Sequence, residues 1–473
     1  MKWSSRFLLA FAALIHLGML IGWRWQTPLV PYFFDATVLS GGRGLDFYSI
    51  YQAGYNARHG ADVYEGDPAK VEIAAPYFTP YRYLPIVAYT VGAALSLFSP
   101  LTAYKIWVVV VELTLLLCVF VTYRRVRDPN LFARLTVMWL CFTPFYLELF
   151  MGQFSLVQGA LVFGMLCLTP LPATASPDDD EAVVRRGGSR NASPPLPKRK
   201  RSLRERGLGG EASWWFDALW LTSILWKINT IIFVPVLLRL RRYRALVIAA
   251  IVVALTTVPY FLMFPTHLRN FLLNNFGNGV TGHELGNLGF RQLIFELLAT
   301  AGASPALQRL TQLAVVALVL GLSLFVTFYP FRLSLSPFHL KFGIWNFGFS
   351  PTSDFQPPTS TLLSLWLTAF FLVSPQIWEH HYVMLLPALV VAYWQERNGF
   401  ILILWLLLAL PTPFRFIGLQ PVIAANPDLR AFALEPAWQP LLQHASKAAP
   451  TLLLFLYLAA PMMQRRRGYL KSP

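Results

Sequence analysis

The sequence has few charged residues and very few cysteines. Asp, Glu, Lys and Arg make up 13% of its 473 residues, and only three residues are cysteine. Cys118, Cys141 and Cys167 all fall in apolar stretches, which argues against a disulfide framework and against a zinc site with the usual ligand spacing. With 56% hydrophobic residues and a mean hydropathy of +0.50, the composition is untypical of a soluble protein.

Acidic residues are scarcer than basic ones. The chain has 23 Asp and Glu against 39 Lys and Arg, a formal net charge of +16. In a soluble domain this excess would suggest a nucleic-acid partner, but in a membrane protein basic cytoplasmic loops are expected. We therefore expect an integral membrane protein in contact with lipids, with no nucleic-acid partner.

Hydrophobic runs dominate the sequence. A spanning helix needs about 20 mainly apolar residues, so we predict an all-α polytopic membrane protein, a single unit over 1–473 with about twelve transmembrane helices. The first run is long for a signal peptide and is expected to be retained. The predicted spans are 6–25, 104–123, 130–150, 154–172, 214–227, 229–240, 243–263, 308–329, 359–376, 381–395, 399–414 and 449–463.

The apolar stretch 81–99 decides the topology. If this stretch does not cross, 26 of the 39 lysines and arginines fall in segments predicted to be inside, as the positive-inside rule requires. Prolines at 80, 85 and 100 also favour a short, broken helix. We therefore predict that 81–99 is an outer juxtamembrane helix and that both termini are cytoplasmic.

Three further segments have distinct predicted roles. Residues 26–103 form an outer loop with juxtamembrane helices. Residues 173–213, rich in Pro, Ser, Asp and Arg, are expected to be a disordered basic cytoplasmic loop, so the glycosylation sequon at Asn191 lies on the wrong side of the membrane. Residues 214–240 are either one helix or, as we prefer, a hairpin of two short helices, which is tolerated where it lines a cavity.

The outer segment "GGRGLDFYSIYQAGYNARHGADVYEGD" contains the first candidate for chemistry, Asp46. A carboxylate there can act as a general base for a sugar hydroxyl, and aromatic side chains such as Tyr51 and Tyr64 offer apolar surfaces to sugar rings. The alternative is a solvated loop acid or a helix N-cap.

Other polar residues reach the same predicted outer face. A transferred sugar leaves an anionic phosphate, which cations and N–H donors stabilise. Each candidate also has an explanation without chemistry. Trp378 and the two histidines can form an interfacial belt, Lys227 can snorkel to the membrane surface, and the remaining residues can be exposed to solvent. Because two adjacent histidines point to different sides of a helix, a metal is not favoured, although a divalent ion stays open. The candidates are Glu148, Gln153, Lys227, Asn287, Arg291, Trp378, His380 and His381.

Taken in order, these motifs resemble glycosyltransferase family 87, within the GT-C superfamily. The resemblance covers about 46–387, and each motif is loose by itself. It is carried by Asp46-Phe47 with Tyr51, Ala53, Gly54 and Tyr64, by "YRYLPIVAY" at 81–89, by Gly152-Gln153, by Lys227 with "PVLLRLRRYR", by Asn287 to Arg291, and by Ser374-Pro375, Trp378 and His380-His381.

The resemblance implies a GT-C-like helical bundle in the plasma membrane with its active site on the extracytoplasmic side. It also implies a polyprenyl-phosphate-linked donor such as polyprenyl-phosphate-mannose, a lipid or glycan acceptor, and Asp46 as the general base. The chain departs from the family pattern at Leu84-Pro85, where a double proline is usual, and at Phe154, where an Asn commonly follows Gly-Gln.

Two other functions remain open at this stage. A lipid or solute transporter or flippase would have a similar hydropathy profile and would also carry intramembrane acids, although no inverted repeat of broken helices is visible. A non-catalytic assembly partner of cell-envelope enzymes is the third interpretation. The sugar, the acceptor and the oligomeric state do not follow from the sequence.

Overall fold

The computed structural model describes residues 3–25, 43–169, 210–277, 286–328, 358–412 and 438–464. Every regular element in these ranges is helical, and none of their residues forms a strand. The predicted all-α fold class is therefore confirmed.

Seventeen helices are numbered here within those ranges. Many begin with proline at the first or second position, where its missing N–H and fixed φ do no harm. They are α1 (Trp3–Trp25), α2 (Leu45–Arg58), α3 (Pro85–Leu95), α4 (Pro100–Arg125), α5 (Pro129–Leu140), α6 (Thr143–Met151), α7 (Ser155–Leu168), α8 (Gly210–Trp226), α9 (Ile228–Arg239), α10 (Tyr243–Met263), α11 (Pro265–Leu272), α12 (Phe290–Thr300), α13 (Pro305–Phe328), α14 (Thr359–Val373), α15 (Leu386–Glu396), α16 (Gly399–Ala409) and α17 (Trp438–Gln464).

Four of these helices, α1, α4, α10 and α13, are long and apolar enough to cross a bilayer. Much of their apolar surface faces outward; Leu255 on α10 and Leu318 on α13 are 68% and 70% exposed. Contiguous apolar surface of this kind marks contact with lipid or with a partner. These helices indicate a membrane-embedded protein.

The remaining predicted spans are shorter or broken. The predicted span 130–150 is two helices, α5 and α6, which are interrupted at Cys141 and Phe142 ahead of Pro144 at the start of α6. The predicted span 381–395 begins as a 3₁₀ turn, Glu379–Leu385, before α15. The described residues thus contain four helices of spanning length, and the number twelve stays a prediction.

The chain breaks at Lys227, between α8 and α9. Lys227 has an extended backbone (φ −155°, ψ 121°), and Trp220 Nε1 donates to the carbonyl of Thr230 at 3.0 Å, so the chain folds back on itself. The preference for two short helices over one long helix is confirmed.

The predicted juxtamembrane stretch 81–99 contains α3, a helix of eleven residues. At about 1.5 Å per residue it reaches roughly 16 Å, about half of the hydrocarbon thickness. It crosses α2 where two glycines meet: a Cβ on Gly54 would overlap with the backbone of Gly92. Close packing of α2 against α3 therefore requires glycine at this crossing.

Several predictions fall on residues outside the described ranges. They include the order of 173–209 and the sequon at Asn191. The predicted end of the basic loop at 213 is four residues too late, because α8 begins at Gly210.

A candidate active site where five segments meet

Asp46 lies in the first turn of α2 and is half-buried. The helix starts after Gly44, whose left-handed backbone (φ 76°) turns the chain and whose N–H donates to the carbonyl of Phe150 at 2.8 Å. This bond ties the start of α2 to the end of α6. The carboxylate of Asp46 is therefore positioned by two helices that are about a hundred residues apart in sequence.

Gly152 and Gln153 complete this junction. Gly152 is left-handed (φ 65°), and a Cβ at this position would lie 2.5 Å from the Cβ of Phe47, so a larger residue would push α2 away. The next side chain, Gln153, donates from Nε2 to Oδ2 of Asp46. The Gly-Gln pair thus allows the close approach and then fixes the orientation of the carboxylate.

Glu148 is fully buried beneath this junction. Its Oε1 accepts from the backbone N–H of Leu156 at 2.5 Å, in the first turn of α7, where unsatisfied N–H groups and the helix dipole favour an anion. Its Oε2 is buried and has no hydrogen-bond partner in the described structure. Glu148 therefore caps α7 and places a second carboxyl group behind Asp46.

Lys227 brings a cation to the two carboxylates. It stands at the break between α8 and α9, half-buried, and interacts electrostatically with Asp46 and Glu148. Gln158 Nε2 donates to its carbonyl at 2.7 Å, which fixes the backbone, and its Nζ lies 5.9 Å from the ring centre of Tyr83. The ammonium group is thus held beside the acids, with an aromatic face over it.

Tyr83 is the wall residue that sequence reasoning did not single out. It lies in the quoted "YRYLPIVAY" segment, just before α3, and burial together with the charges of Asp46 and Glu148 raises the pKa of its phenol. A neutral phenol remains a hydrogen-bond donor at every physiological pH. The feature of the sequence that points to Tyr83 is its position in the motif, two residues before Pro85.

The adjacent histidines face the same place from the 3₁₀ turn Glu379–Leu385. Both interact electrostatically with Lys227. His380 is 3% exposed, and neither ring nitrogen has a hydrogen-bond partner among the described residues. His381 accepts at Nδ1 from the backbone N–H of Trp378 at 3.1 Å, so its neutral ring carries the proton on Nε2, a donor for an anion.

Three further predicted residues, Asn287, Arg291 and Trp378, make contacts within the protein. Asn287 is buried; its Nδ2 donates to the carbonyl of Pro375 at 2.8 Å and its Oδ1 accepts from the N–H of Ile377 at 2.9 Å. Arg291 donates to the side chain of Gln312 at 3.3 Å. Trp378 is half-buried at the start of the 3₁₀ turn. Asn287 and Trp378 position the histidine segment, and no described contact joins Arg291 to Lys227.

The predicted sugar-stacking tyrosines are packed inside the protein. Tyr51 is 4% exposed and its hydroxyl donates to the carbonyl of Phe98 at 2.9 Å. Tyr64 is fully buried, and its hydroxyl donates to the carbonyl of Tyr83 at 2.7 Å. Both side chains therefore support the walls of the site, and direct contact with a sugar stays a prediction.

The arrangement combines a half-buried carboxylate, a half-buried cation and two imidazoles from distant segments. Ionisable groups gathered in this way are typical of functional sites. Among the described residues, no group of three or more His, Cys, Asp or Glu is placed to hold a metal ion.

Comparison of the chain with known protein families, with curated proteins and with solved structures finds no match. The resemblance to glycosyltransferase family 87 rests on the motifs quoted above.

Proposed function

We propose that the chain is a membrane glycosyltransferase that moves a hexose, mannose in the first instance, from a polyprenyl-phosphate donor to a lipid or glycan acceptor. One observation carries the proposal: the half-buried carboxylate of Asp46 is fixed by Gln153 and interacts electrostatically with a half-buried cation, Lys227. Sugar transfer from a phosphate donor needs this pair of opposite charges, one for the entering hydroxyl and one for the leaving phosphate.

The reaction follows from these positions. Asp46 accepts the proton of the acceptor hydroxyl while the hydroxyl oxygen attacks the anomeric carbon of the donor sugar. The bond between that carbon and the phosphate oxygen breaks on the opposite face, so configuration inverts. Lys227 and the N–H donors of His380 and His381 stabilise the phosphate that leaves with the polyprenol, and one such donor contributes roughly 3–4 kcal/mol.

The test uses the full chain in nanodiscs with radiolabelled polyprenyl-phosphate-mannose and a lipid extract. The proposal predicts a labelled acceptor lipid and consumption of the donor. A flippase would instead move intact donor across a proteoliposome membrane without an acceptor, and an assembly partner would do neither. Intact donor after prolonged incubation would contradict the proposal.

We also propose that the site faces the outside of the plasma membrane, with both termini in the cytoplasm. Lys70, in the loop between α2 and α3, is exposed, as is Arg125 at the end of α4. In a cysteine-free background, Lys70→Cys is expected to react with a membrane-impermeant maleimide in intact cells, and Arg125→Cys is expected to react after lysis alone. Labelling of position 125 from outside would contradict the topology.

A further inference from the structure

In helix α11 and the turn after it, polar side chains face the protein and leucines face outward. Their polar side chains point inward to the loop 61–67: His267 Nδ1 lies 3.3 Å from Oδ1 of Asp62, and Asn270 Nδ2 donates to Oδ2 of Asp62 at 2.8 Å. One turn later, Asn274 Nδ2 donates to the carbonyl of Tyr64 at 2.9 Å. The polar side of this helix is therefore committed to the protein.

The outward side of the same helix carries leucines. Leu268, Leu272 and Leu273 are 38%, 45% and 49% exposed, and the exposed polar residues beside them are Thr266, Arg269 and Asn275. A surface helix in water shows the reverse pattern, with its apolar stripe toward the core. The outward side is suited to an apolar medium, with one cation at its boundary.

The preceding helix, α10, indicates that the apolar medium is lipid. The exposed apolar surface of the candidate span α10 runs through Leu262 and Met263 directly into α11, with Phe264 and Pro265 marking the corner. A short helix that begins where a span ends lies at the boundary between headgroups and acyl chains. There the aliphatic stem of Arg269 can bury while its guanidinium meets lipid phosphate.

We propose that α11 is an interfacial helix docked in the bilayer, and that this docking braces the wall of the candidate active site. The brace is a chain of contacts. Asn274 binds the backbone of Tyr64, the hydroxyl of Tyr64 donates to the carbonyl of Tyr83 at 2.7 Å, and the ring of Tyr83 covers Lys227. The docking of α11 does not depend on the proposed function, whereas its effect on sugar transfer rests on the proposed function.

Docking is tested by fluorescence in nanodiscs. Cysteines at Leu268 and Leu272, in a cysteine-free full chain, are labelled with the fluorophore NBD, and Lys70→Cys in the exposed outer loop is the matched control. We expect headgroup-region nitroxide lipids to quench positions 268 and 272, and aqueous iodide to quench position 70. Iodide quenching at 272 equal to that at 70 would overturn docking. Protection from both quenchers, with disulfide cross-linking between copies, would assign the leucines to a second chain and would also overturn it.

Bracing is tested by Leu268→Asn combined with Leu272→Asn, with thermal unfolding as the check on folding. We expect lipid quenching of an NBD label at 273 to fall and sugar transfer to drop about 10- to 100-fold, because small displacements of a site wall cost this much. Arg269→Gln, which keeps the leucines, is the control and is expected to change transfer less. Unchanged transfer in a variant that has lost lipid quenching would overturn bracing while docking stands. Absence of transfer in the unaltered chain would contradict the proposed function and leave the quenching result intact.

Discussion

Two polar clusters lie close together in this protein and differ in how their charges are satisfied. The Asp46 cluster, consisting of Asp46, Tyr83, Glu148, Lys227 and the two histidines, includes two charged groups, Asp46 and Lys227, that are only half-buried. The Glu379 cluster is buried: Glu379 accepts from the N–H and hydroxyl of Thr412 at 3.1 Å each and lies 3.4 Å from Lys447. Lys447 also donates to the carbonyl of Leu408 at 2.7 Å.

The difference favours the Asp46 cluster as the one that would bind a ligand under the proposed function. A buried ion pair whose hydrogen bonds are complete holds segments together, here α17 against the turn that carries the histidines. In the Asp46 cluster, Oε2 of Glu148 and both ring nitrogens of His380 have no partner among the described residues. Half-buried charges next to unpaired polar atoms are what an anionic, hydroxyl-bearing substrate would satisfy.

The largest contrast is expected between the two lysines. Lys227→Met removes a cation from the Asp46 cluster and is expected to lower donor use about 10²–10³-fold in single-turnover assays, with the protein still folded. Lys447→Met leaves Glu379 buried without its partner and is expected to cost about 3–5 kcal/mol of stability, with turnover per folded molecule retained. Equal losses of turnover per folded molecule would remove the distinction between the clusters.

A second prediction concerns the glycine junction beneath Asp46. Gly152 and Gly60 both have positive φ (65° and 70°), but a Cβ at Gly60 meets nothing within 4 Å, whereas a Cβ at Gly152 collides with Phe47. Both changes to Ala are expected to cost about 1–2 kcal/mol in the backbone. Gly152→Ala should in addition lower transfer about 10²-fold by displacing α2, as measured beside the melting temperature. Similar transfer by both variants would show that α2 tolerates the shift.

The smallest effect is expected for Glu148→Gln. The amide oxygen can still accept from the N–H of Leu156, so the cap on α7 survives while the ionisable carboxyl group near Lys227 is lost. We expect transfer to fall by about tenfold or less, equivalent to about 1.4 kcal/mol in the barrier. A loss as large as that expected at Asp46 would point to Glu148 as the base.

Hydropathy and charge predicted the helical membrane fold and the break at Lys227, because long apolar runs and their interruptions are local properties. The interruption at Cys141 and Phe142 was missed, since the sequence around it (135–147) is mostly apolar and the break depends on Pro144 starting a new helix.

The grouping of Asp46, Gln153 and Lys227 could be suspected only from motif order, because their separation in sequence says nothing of their distance in space. Side-chain hydrogen bonds and ion pairs could not be predicted from the sequence for the same reason. Tyr64 was predicted to contact sugar, yet its hydroxyl is used by the carbonyl of Tyr83. Glu379 was not predicted to form a buried ion pair, because its partner Lys447 lies on α17, beyond α15 and α16 in the sequence.

The most direct test of the account is single-turnover sugar transfer by Asp46→Asn. Asparagine keeps the shape of the side chain and an oxygen that can accept from Gln153, but it cannot take the proton of the acceptor hydroxyl. General-base assistance contributes about 10²–10⁴-fold, so transfer should fall by that factor while donor binding and melting temperature stay close to those of the unaltered chain. Asp67→Asn, in the loop between α2 and α3, is the matched control. Transfer by Asp46→Asn at the rate of the unaltered chain would contradict the assignment of Asp46 as the base.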